Sequence, residues 1–141
     1  MAPHLSAAVE SHVVNAPAPV QSATAAMDAE RAPTILVFDS GVGGLSVFRE
    51  VARVRPDARF IYAADDAAFP YGALADDALV ARVDHVVDRL IAAEAPDLVV
   101  IACNTASTLA LPALRARHAI PFVGTVPAIK PACIASRTRR V

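Results

Sequence analysis

Four short apolar runs mark the chain, and stretches with helical spacing separate them. Each run is continuously apolar and rich in branched or aromatic residues, which is typical of strands buried on both faces. The predicted strands are residues 34–39, 59–64, 97–102 and 120–124. Because such strands alternate with amphipathic stretches, the sequence predicts an α/β fold, an open parallel sheet of about four strands with helices on both faces.

Apolar residues at helical spacing predict three helices between these strands. The first follows a glycine cluster and is limited by Pro56. The second carries an apolar stripe from Leu79 to Ile91, and Arg82 is among the residues expected to face water. The third covers residues 105–118, with Pro112 as a break or a restart.

The N-terminal segment, residues 1–33, differs in composition from the rest of the chain. It is rich in Ala, Pro and Ser and has no sustained period, so it is predicted to be a flexible extension of an α/β domain covering residues 34–141. It lacks a basic start and a continuous apolar stretch, so a signal peptide is not expected. No segment approaches the ~18 consecutive apolar residues of a membrane helix. With two cysteines and no disulfide framework, a cytoplasmic protein without a membrane partner is expected.

The charged residues argue against several classes of partner. The chain has 13 basic and 14 acidic residues, a formal net charge of −1, so no nucleic-acid partner is expected. Arg137, Arg139 and Arg140 form the one basic cluster, interpreted as a solvated turn. The four histidines are dispersed and no Cys/His cluster has ligand spacing, so no metal is expected. The single lysine, Lys130, lies in a predicted loop and gives a Schiff-base cofactor little support.

Polar residues follow the carboxyl end of each predicted strand. They are Asp39 and Ser40, Asp65 and Asp66, Cys103 to Thr105, and Gly124 and Thr125. Carboxyl ends of parallel strands share one edge, where ligands bind, so these residues are expected to lie together. A thiol at a helix N-terminus is favoured as the thiolate and can act as a base, yet cysteine is also a common small core residue. From the residues alone both interpretations of Cys103 stay open, as do capping and ligand binding for Thr105.

The glycine cluster after the first strand, in Asp39 to Gly44, admits more than one interpretation. It lacks the last glycine of the dinucleotide fingerprint, since Ser46 stands there, although Asp65 keeps a ribose contact open. No Gly-Lys-Ser/Thr follows, which excludes a P-loop. The glycines are interpreted as allowing the backbone to approach an anionic group, a carboxylate or a phosphate, at a helix start.

Four motifs in order resemble the glutamate racemase family, from about residue 34 to Val141. They are FDSGVGGLSV (38–47), PYG (70–72), ACNTAS (102–107) and GTVPAIKPA (124–132). The resemblance implies a cofactor-independent isomerase that interconverts L- and D-glutamate for peptidoglycan, with glutamate as its small-molecule partner. It implies that Cys103 is catalytic and that Asp39 assists the proton transfers. The substrate-binding residues it implies are Asp39, Ser40, Tyr71, Gly72, Asn104 and Thr105.

The sequence departs from the family pattern in its second cysteine. Family members carry a second proton-transferring cysteine in a second domain, within a Gly-Cys-Thr-His stretch that is absent here. Cys133 lacks that context and is interpreted as a structural or incidental thiol. The chain is therefore expected to correspond to the first half of a racemase and to be inactive alone. A racemase for another acidic amino acid such as aspartate, a non-catalytic ligand-binding or interaction module, and a homodimer of the full-length protein are left open.

Overall fold

The computed structural model describes residues 12–15 and 31–138 of the chain and contains a five-stranded sheet. The strands are β1 (His12–Asn15), β2 (Thr34–Asp39), β3 (Arg59–Ala64), β4 (Leu98–Ile101) and β5 (Phe122–Gly124). Their order across the sheet is β1-β3-β2-β4-β5. Strands β2 to β5 are parallel to their neighbours, and β1 pairs antiparallel with β3. The predicted α/β fold with four parallel strands is confirmed.

Strand β1 lies within the segment that was predicted to be a flexible extension. Residues 12–15 pair with residues 61–64 and cover one edge of the sheet. The run HVVN is only four residues long and stands in an Ala- and Pro-rich segment, so it was not predicted as a strand, and its partners lie about 50 residues further along the chain. The rest of the predicted extension, residues 1–11 and 16–30, lies outside the described residues.

Within residues 31–138, five α-helices and two 3₁₀ turns connect and follow the strands. The helices are α1 (Leu45–Val54), α2 (Asp76–Glu94), α3 (Asn104–Leu109), α4 (Leu111–Arg117) and α5 (Ile129–Ala135), and the turns are Asp66–Ala68 and Tyr71–Ala73. Of the two alternatives at Pro112 the restart is correct, because this proline lies at the start of α4, where its missing N–H is not needed. The predicted loop around Lys130 is instead helix α5. Pro131 is tolerated there because it lies in the first turn.

Two apolar layers hold the helices to opposite faces of the sheet. Successive strand residues point to opposite faces, so Ile35 and Val37 contact α1 while Leu36 and Phe38 contact the layer formed with α2, α3 and α4. Helices on both faces were predicted, and this arrangement confirms it. In the described part of the chain, no helix combines the length and the apolar character that crossing a membrane requires.

The strand order creates a switch point between β2 and β4. The chain leaves β2 towards β3 on one side, then crosses over from β3 to β4 on the other side of β2. In open parallel sheets the crevice outside the carboxyl ends at such a point is the usual place for a ligand. Here Ser40 follows β2 and Cys103 follows β4, so both lie at this crevice.

Candidate active site at the carboxyl edge

Cys103 and Ser40 are in contact across the switch point. The Sγ atom of Cys103 lies 3.4 Å from the Oγ atom of Ser40, and both residues are buried. The backbone fixes this contact, because the Ala102 N–H donates to the Phe38 carbonyl at 2.7 Å. Cys103 occupies the N-cap position of α3, although its side chain makes no capping hydrogen bond. A thiol and a hydroxyl from residues 63 positions apart therefore meet at the expected edge.

The carboxylate of Asp39 closes the same edge of the sheet and is held by two donors. Its Oδ2 atom accepts a hydrogen bond from the Gly44 N–H at 2.8 Å and one from the Tyr62 hydroxyl at 3.3 Å. The same hydroxyl also donates to the Gly41 carbonyl at 3.0 Å. Gly44 is glycine for a steric reason, since a Cβ there would lie 2.8 Å from Cβ of Ala102 and 2.9 Å from that of Asp39. Asp39 thus fixes the start of α1 and stays next to the residue that precedes Cys103.

A buried ionic group lies behind the Tyr71–Ala73 turn. Asp65 has no exposed surface and accepts hydrogen bonds from the Tyr71 hydroxyl at 2.6 Å and from Arg82 at 2.8 and 2.5 Å. Burial opposes ionisation of Asp65, but the donors Arg82 and Tyr71 outweigh it, so its pKa lies below its ordinary value. Burial and the adjacent Asp65 raise the pKa of Tyr71. Since Asp65 has no exposed surface and is paired with Arg82, a ribose cannot reach it, and the dinucleotide interpretation loses its acidic residue.

The remaining candidate residues lie around these groups with different exposure. Tyr71 is only 1% exposed, and its ring packs 6.4 Å from that of Phe38, centroid to centroid. Gly72 is exposed, and no atom lies within 4 Å of the place a Cβ would take. Asn104 is exposed and Thr105 half-buried in the first turn of α3, which contacts the Tyr71–Ala73 turn. Thr105 does not cap this helix, because Cys103 holds the N-cap position.

Three residues at this edge were not predicted from the sequence as site residues. Tyr62 stands inside an apolar run, which is typical of a core residue. Arg82 was expected to face water but is 24% exposed in its side chain and pairs with Asp65. Ser107 accepts the Thr125 N–H at 3.0 Å and donates to the Ile101 carbonyl at 2.9 Å, which joins the end of β5 to α3. Two of these residues could have been noticed from the sequence, because each places a polar atom within an apolar pattern. Tyr62 does so in a strand and Ser107 on a helix.

One group of side chains has the donor set of a cation site. Asp84, Asp88 and His118 bring their ligand atoms within 4.8 Å of one another. Arg117 donates hydrogen bonds to both carboxylates, so a guanidinium already supplies the positive charge that a metal ion would bring. Cys133 lies half-buried in α5 as a free thiol, and Cys103 is also free.

The fold and this edge together define the class of protein. An open parallel sheet with a thiol, a hydroxyl and a carboxylate at its switch point is a doubly wound α/β protein of the kind that carries small-molecule sites. No family model matches the sequence. The chain is 59% identical over 119 residues to the glutamate racemase of Brucella anthropi, which covers 84% of this chain and 42% of that protein. It is 59% identical over 102 residues to the glutamate racemase of Vibrio cholerae, covering 72% of this chain and 38% of that protein.

A solved structure agrees with these relatives. The chain superposes on the Escherichia coli glutamate racemase in complex with L-glutamate and the activator UDP-MurNAc-Ala with a TM-score of 0.71 and 50% identity. That match covers 76% of this chain and 40% of the Escherichia coli chain. The resemblance inferred from the four motifs is confirmed, and the chain belongs to the glutamate racemase family. It spans about two-fifths of the length of the curated relatives it matches.

Proposed function

We propose that this chain forms one half of the active site of a cofactor-independent glutamate racemase, which interconverts L- and D-glutamate in the cytoplasm for peptidoglycan. Cys103 is the base that takes the α-proton from one face of the substrate, and Asp39 assists that transfer. Ser40, Tyr71, Gly72, Asn104 and Thr105 form the substrate-binding surface on this side of the cleft. The observation that carries the proposal is the 3.4 Å contact between Cys103 and Ser40 at the switch point.

The surroundings of Cys103 suit a proton-transfer role better than a packing role. A packing cysteine needs apolar neighbours alone, whereas this thiol meets a hydroxyl at the sheet edge that also holds Asp39. Gly72 and Asn104 are exposed beside it, so backbone and amide groups are available to orient a polar ligand. Tyr71 contributes through its backbone and its ring position, because Asp65 already accepts its hydroxyl proton.

Racemisation requires a proton carrier on each face of the α-carbon. Cys103 removes the proton as a thiolate, and a thiol on the opposite face then donates its own proton to the resulting carbanion. A single thiol reaches only one face, so we expect the 141-residue chain on its own not to racemise glutamate. Loss of one carrier together with part of the substrate orientation costs on the order of 10 kcal/mol of barrier, which removes measurable turnover.

The first test is turnover by the full-length protein in D₂O. L-glutamate should exchange its α-proton for deuterium and yield D-glutamate, measured by proton NMR and chiral chromatography. Cys103→Ala should abolish both, and the matched variant Cys133→Ala should retain them. Turnover that survives Cys103→Ala would remove this thiol from the mechanism, and preference for L-aspartate would assign a different acidic substrate.

The second test asks whether one thiol suffices. The 141-residue chain is assayed alone and after addition, in trans, of a polypeptide carrying the Gly-Cys-Thr-His half of a family member. We expect activity only in the mixture. Turnover by the isolated chain that disappears in Cys103→Ala would contradict the two-thiol mechanism.

A further inference from the structure

The Tyr62 hydroxyl joins the last residue of β2 to the loop that follows this strand. It lies on β3, paired with Val37 of β2, and is 5% exposed. Its hydroxyl is 3.3 Å from Oδ2 of Asp39 and 3.0 Å from the carbonyl of Gly41, so a single proton is shared between two acceptors. Gly41 follows Ser40, the residue in contact with Cys103. One hydroxyl therefore holds both the carboxylate and the loop that carries Ser40.

The two oxygens of Asp39 are unequally engaged. Oδ2 accepts from Tyr62 and from the Gly44 N–H, whereas no group in the described part of the chain donates a hydrogen bond to Oδ1. Two donors from different elements fix the rotation of the carboxylate about its side-chain bonds. Oδ1 is then the oxygen left for a ligand, with its orientation set before the ligand arrives.

The Tyr62 hydroxyl is kept protonated, as a donor must be. Burial raises the pKa of Tyr62 above its ordinary value, and the negative charge of Asp39 and the hydrogen bond to it raise this pKa further. The ring itself has a separate packing role, since Phe48 meets it edge-on at 5.9 Å. The hydroxyl and the ring can therefore be tested separately.

We propose that Tyr62 is a positioning residue, whose hydroxyl fixes the Asp39 carboxylate so that its Oδ1 faces the substrate. This inference rests on the proposed function, because a fixed orientation of Asp39 affects turnover only if Asp39 assists the proton transfer. It predicts that the hydroxyl of Tyr62 acts through Asp39 and not through the stability of the core.

The test is a double-mutant cycle in the full-length protein with L- and D-glutamate. Tyr62→Phe should lower kcat about tenfold and change KM less than about threefold, because it removes a hydrogen bond to a charged group. In the Asp39→Asn background the same substitution should lower kcat less than about twofold. Phe48→Leu is the matched control, since it loosens the packing of the Tyr62 ring without touching the hydroxyl, and it should keep kcat within about twofold of wild type. Additive losses in the cycle, or an unchanged kcat in Tyr62→Phe, would overturn the proposal.

A second readout does not depend on turnover. The side-chain ¹³C carboxyl resonance of Asp39, assigned by its loss in Asp39→Asn, should move in Tyr62→Phe and stay in place in Phe48→Leu. A resonance that stays in place in Tyr62→Phe overturns the positioning role whether or not the protein racemises glutamate. If the wild-type protein shows no turnover while the Asp39 resonance moves in Tyr62→Phe, the proposed function is contradicted and the Tyr62–Asp39 contact is supported.

Discussion

Asp65 accepts three hydrogen bonds without exposing any surface to water. Removing a carboxylate from water is costly, and the cost is recovered only when its partners satisfy both oxygens. Arg82 and Tyr71 do so here, and together they hold the Tyr71–Ala73 turn to the end of β3. The turn that contains Gly72 is therefore held in place by a fully buried carboxylate.

The depressed pKa of Asp65 predicts how stability depends on pH. A group whose pKa is lower in the folded state contributes stability above its unfolded pKa, near 3.8, and this contribution is lost as the pH falls through the folded pKa. Asp65→Asn should lower the unfolding free energy at pH 7 by about 2–4 kcal/mol, since it leaves Arg82 unpaired in a largely buried place. Urea unfolding at pH 7 and pH 3 should show that acidification lowers the unfolding free energy of Asp65→Asn less than that of the wild type.

A control for this prediction comes from the exposed pair of Asp57 and Arg55. Arg55 also lowers the pKa of Asp57, but both side chains are exposed and water screens their interaction. The unfolding free energy of Asp57→Asn should remain close to that of the wild type at both pH values. If acidification lowers the unfolding free energy of Asp65→Asn as much as that of the wild type, other carboxylates cause the loss.

The sequence allowed prediction of which residues end the strands but not of how their side chains pair. Asp39, Ser40 and Cys103 were expected at one edge because parallel strands end together, and the structure brings Ser40 and Cys103 into contact. Tyr62 was predicted only as part of the buried strand 59–64, and Arg82 was predicted to face water. Their partners lie 23 and 17 positions away, and no local pattern reports such contacts.

At the scale of elements, helix α1 is attached to the sheet through its first residues. The Gly44 N–H donates to Asp39, and a Cβ on Gly44 would lie 2.8 Å from that of Ala102. This close approach, rather than an unusual backbone angle, explains the glycine, because Gly44 is in the right-handed helical region. The glycine loop thus sets the distance between α1 and the strand that presents Cys103.

Gly44→Ala should displace the start of α1. The added Cβ would lie under 3.0 Å from the side chains of Ala102 and Asp39, which are part of the sheet edge and have little room to move. The expected loss of unfolding free energy is about 1–3 kcal/mol, with turnover of the full-length protein also reduced because the displaced N–H of residue 44 bonds Asp39 less well. Gly43→Ala is the matched variant, since its Cβ would meet only Oδ2 of Asp39, at 4.0 Å. Equal effects of the two alanines in urea unfolding would contradict the steric explanation.

The elements that the sequence missed have non-local causes. Continuous apolar runs were sufficient for β2 to β5, because most positions of β2, β3 and β4 are buried and therefore apolar. Strand β1 depends on the free edge of β3, and α5 begins just before a proline that usually indicates a loop. β1 is stabilised by a neighbouring strand, and α5 is possible because its proline lies in the first helical turn. The periodicity of the sequence reports neither.

At the scale of the whole molecule, several large apolar side chains are exposed. They are Val42, Leu45, Val54, Phe69, Val123, Val126, Ile129 and Ile134. Four of them belong to the segment from β5 through α5, at the edge of the sheet opposite β1. Exposed apolar surface of this kind favours association.

The isolated 141-residue chain is therefore expected to self-associate at micromolar concentration, which sedimentation velocity measures. Val126→Asp combined with Ile134→Asp should shift the population towards monomer, because both side chains are about three-quarters exposed and their charge would oppose burial. Ala116→Asp, an exposed position on α4, is the matched control for added charge. Association that is unaffected by the paired substitution would place the contact on another surface.

The strand order also sets the sequence of events by which the chain finds its fold. Strand β2 pairs with β3 at a separation of 25 positions (Ile35 with Phe60) and with β4 at 63 positions (Ile35 with Leu98). Closing the longer loop costs about 0.8 kcal/mol more entropy, so β2, α1 and β3 are expected to assemble before β4 docks. Cys103 then arrives at Ser40 late in refolding, after β2, α1 and β3 have packed together. Pulsed alkylation during refolding of a Tyr71→Phe variant should find Cys103 reactive for longer than the fluorescence change of Tyr62 lasts, so the edge that carries Cys103 forms after the unit of β2, α1 and β3.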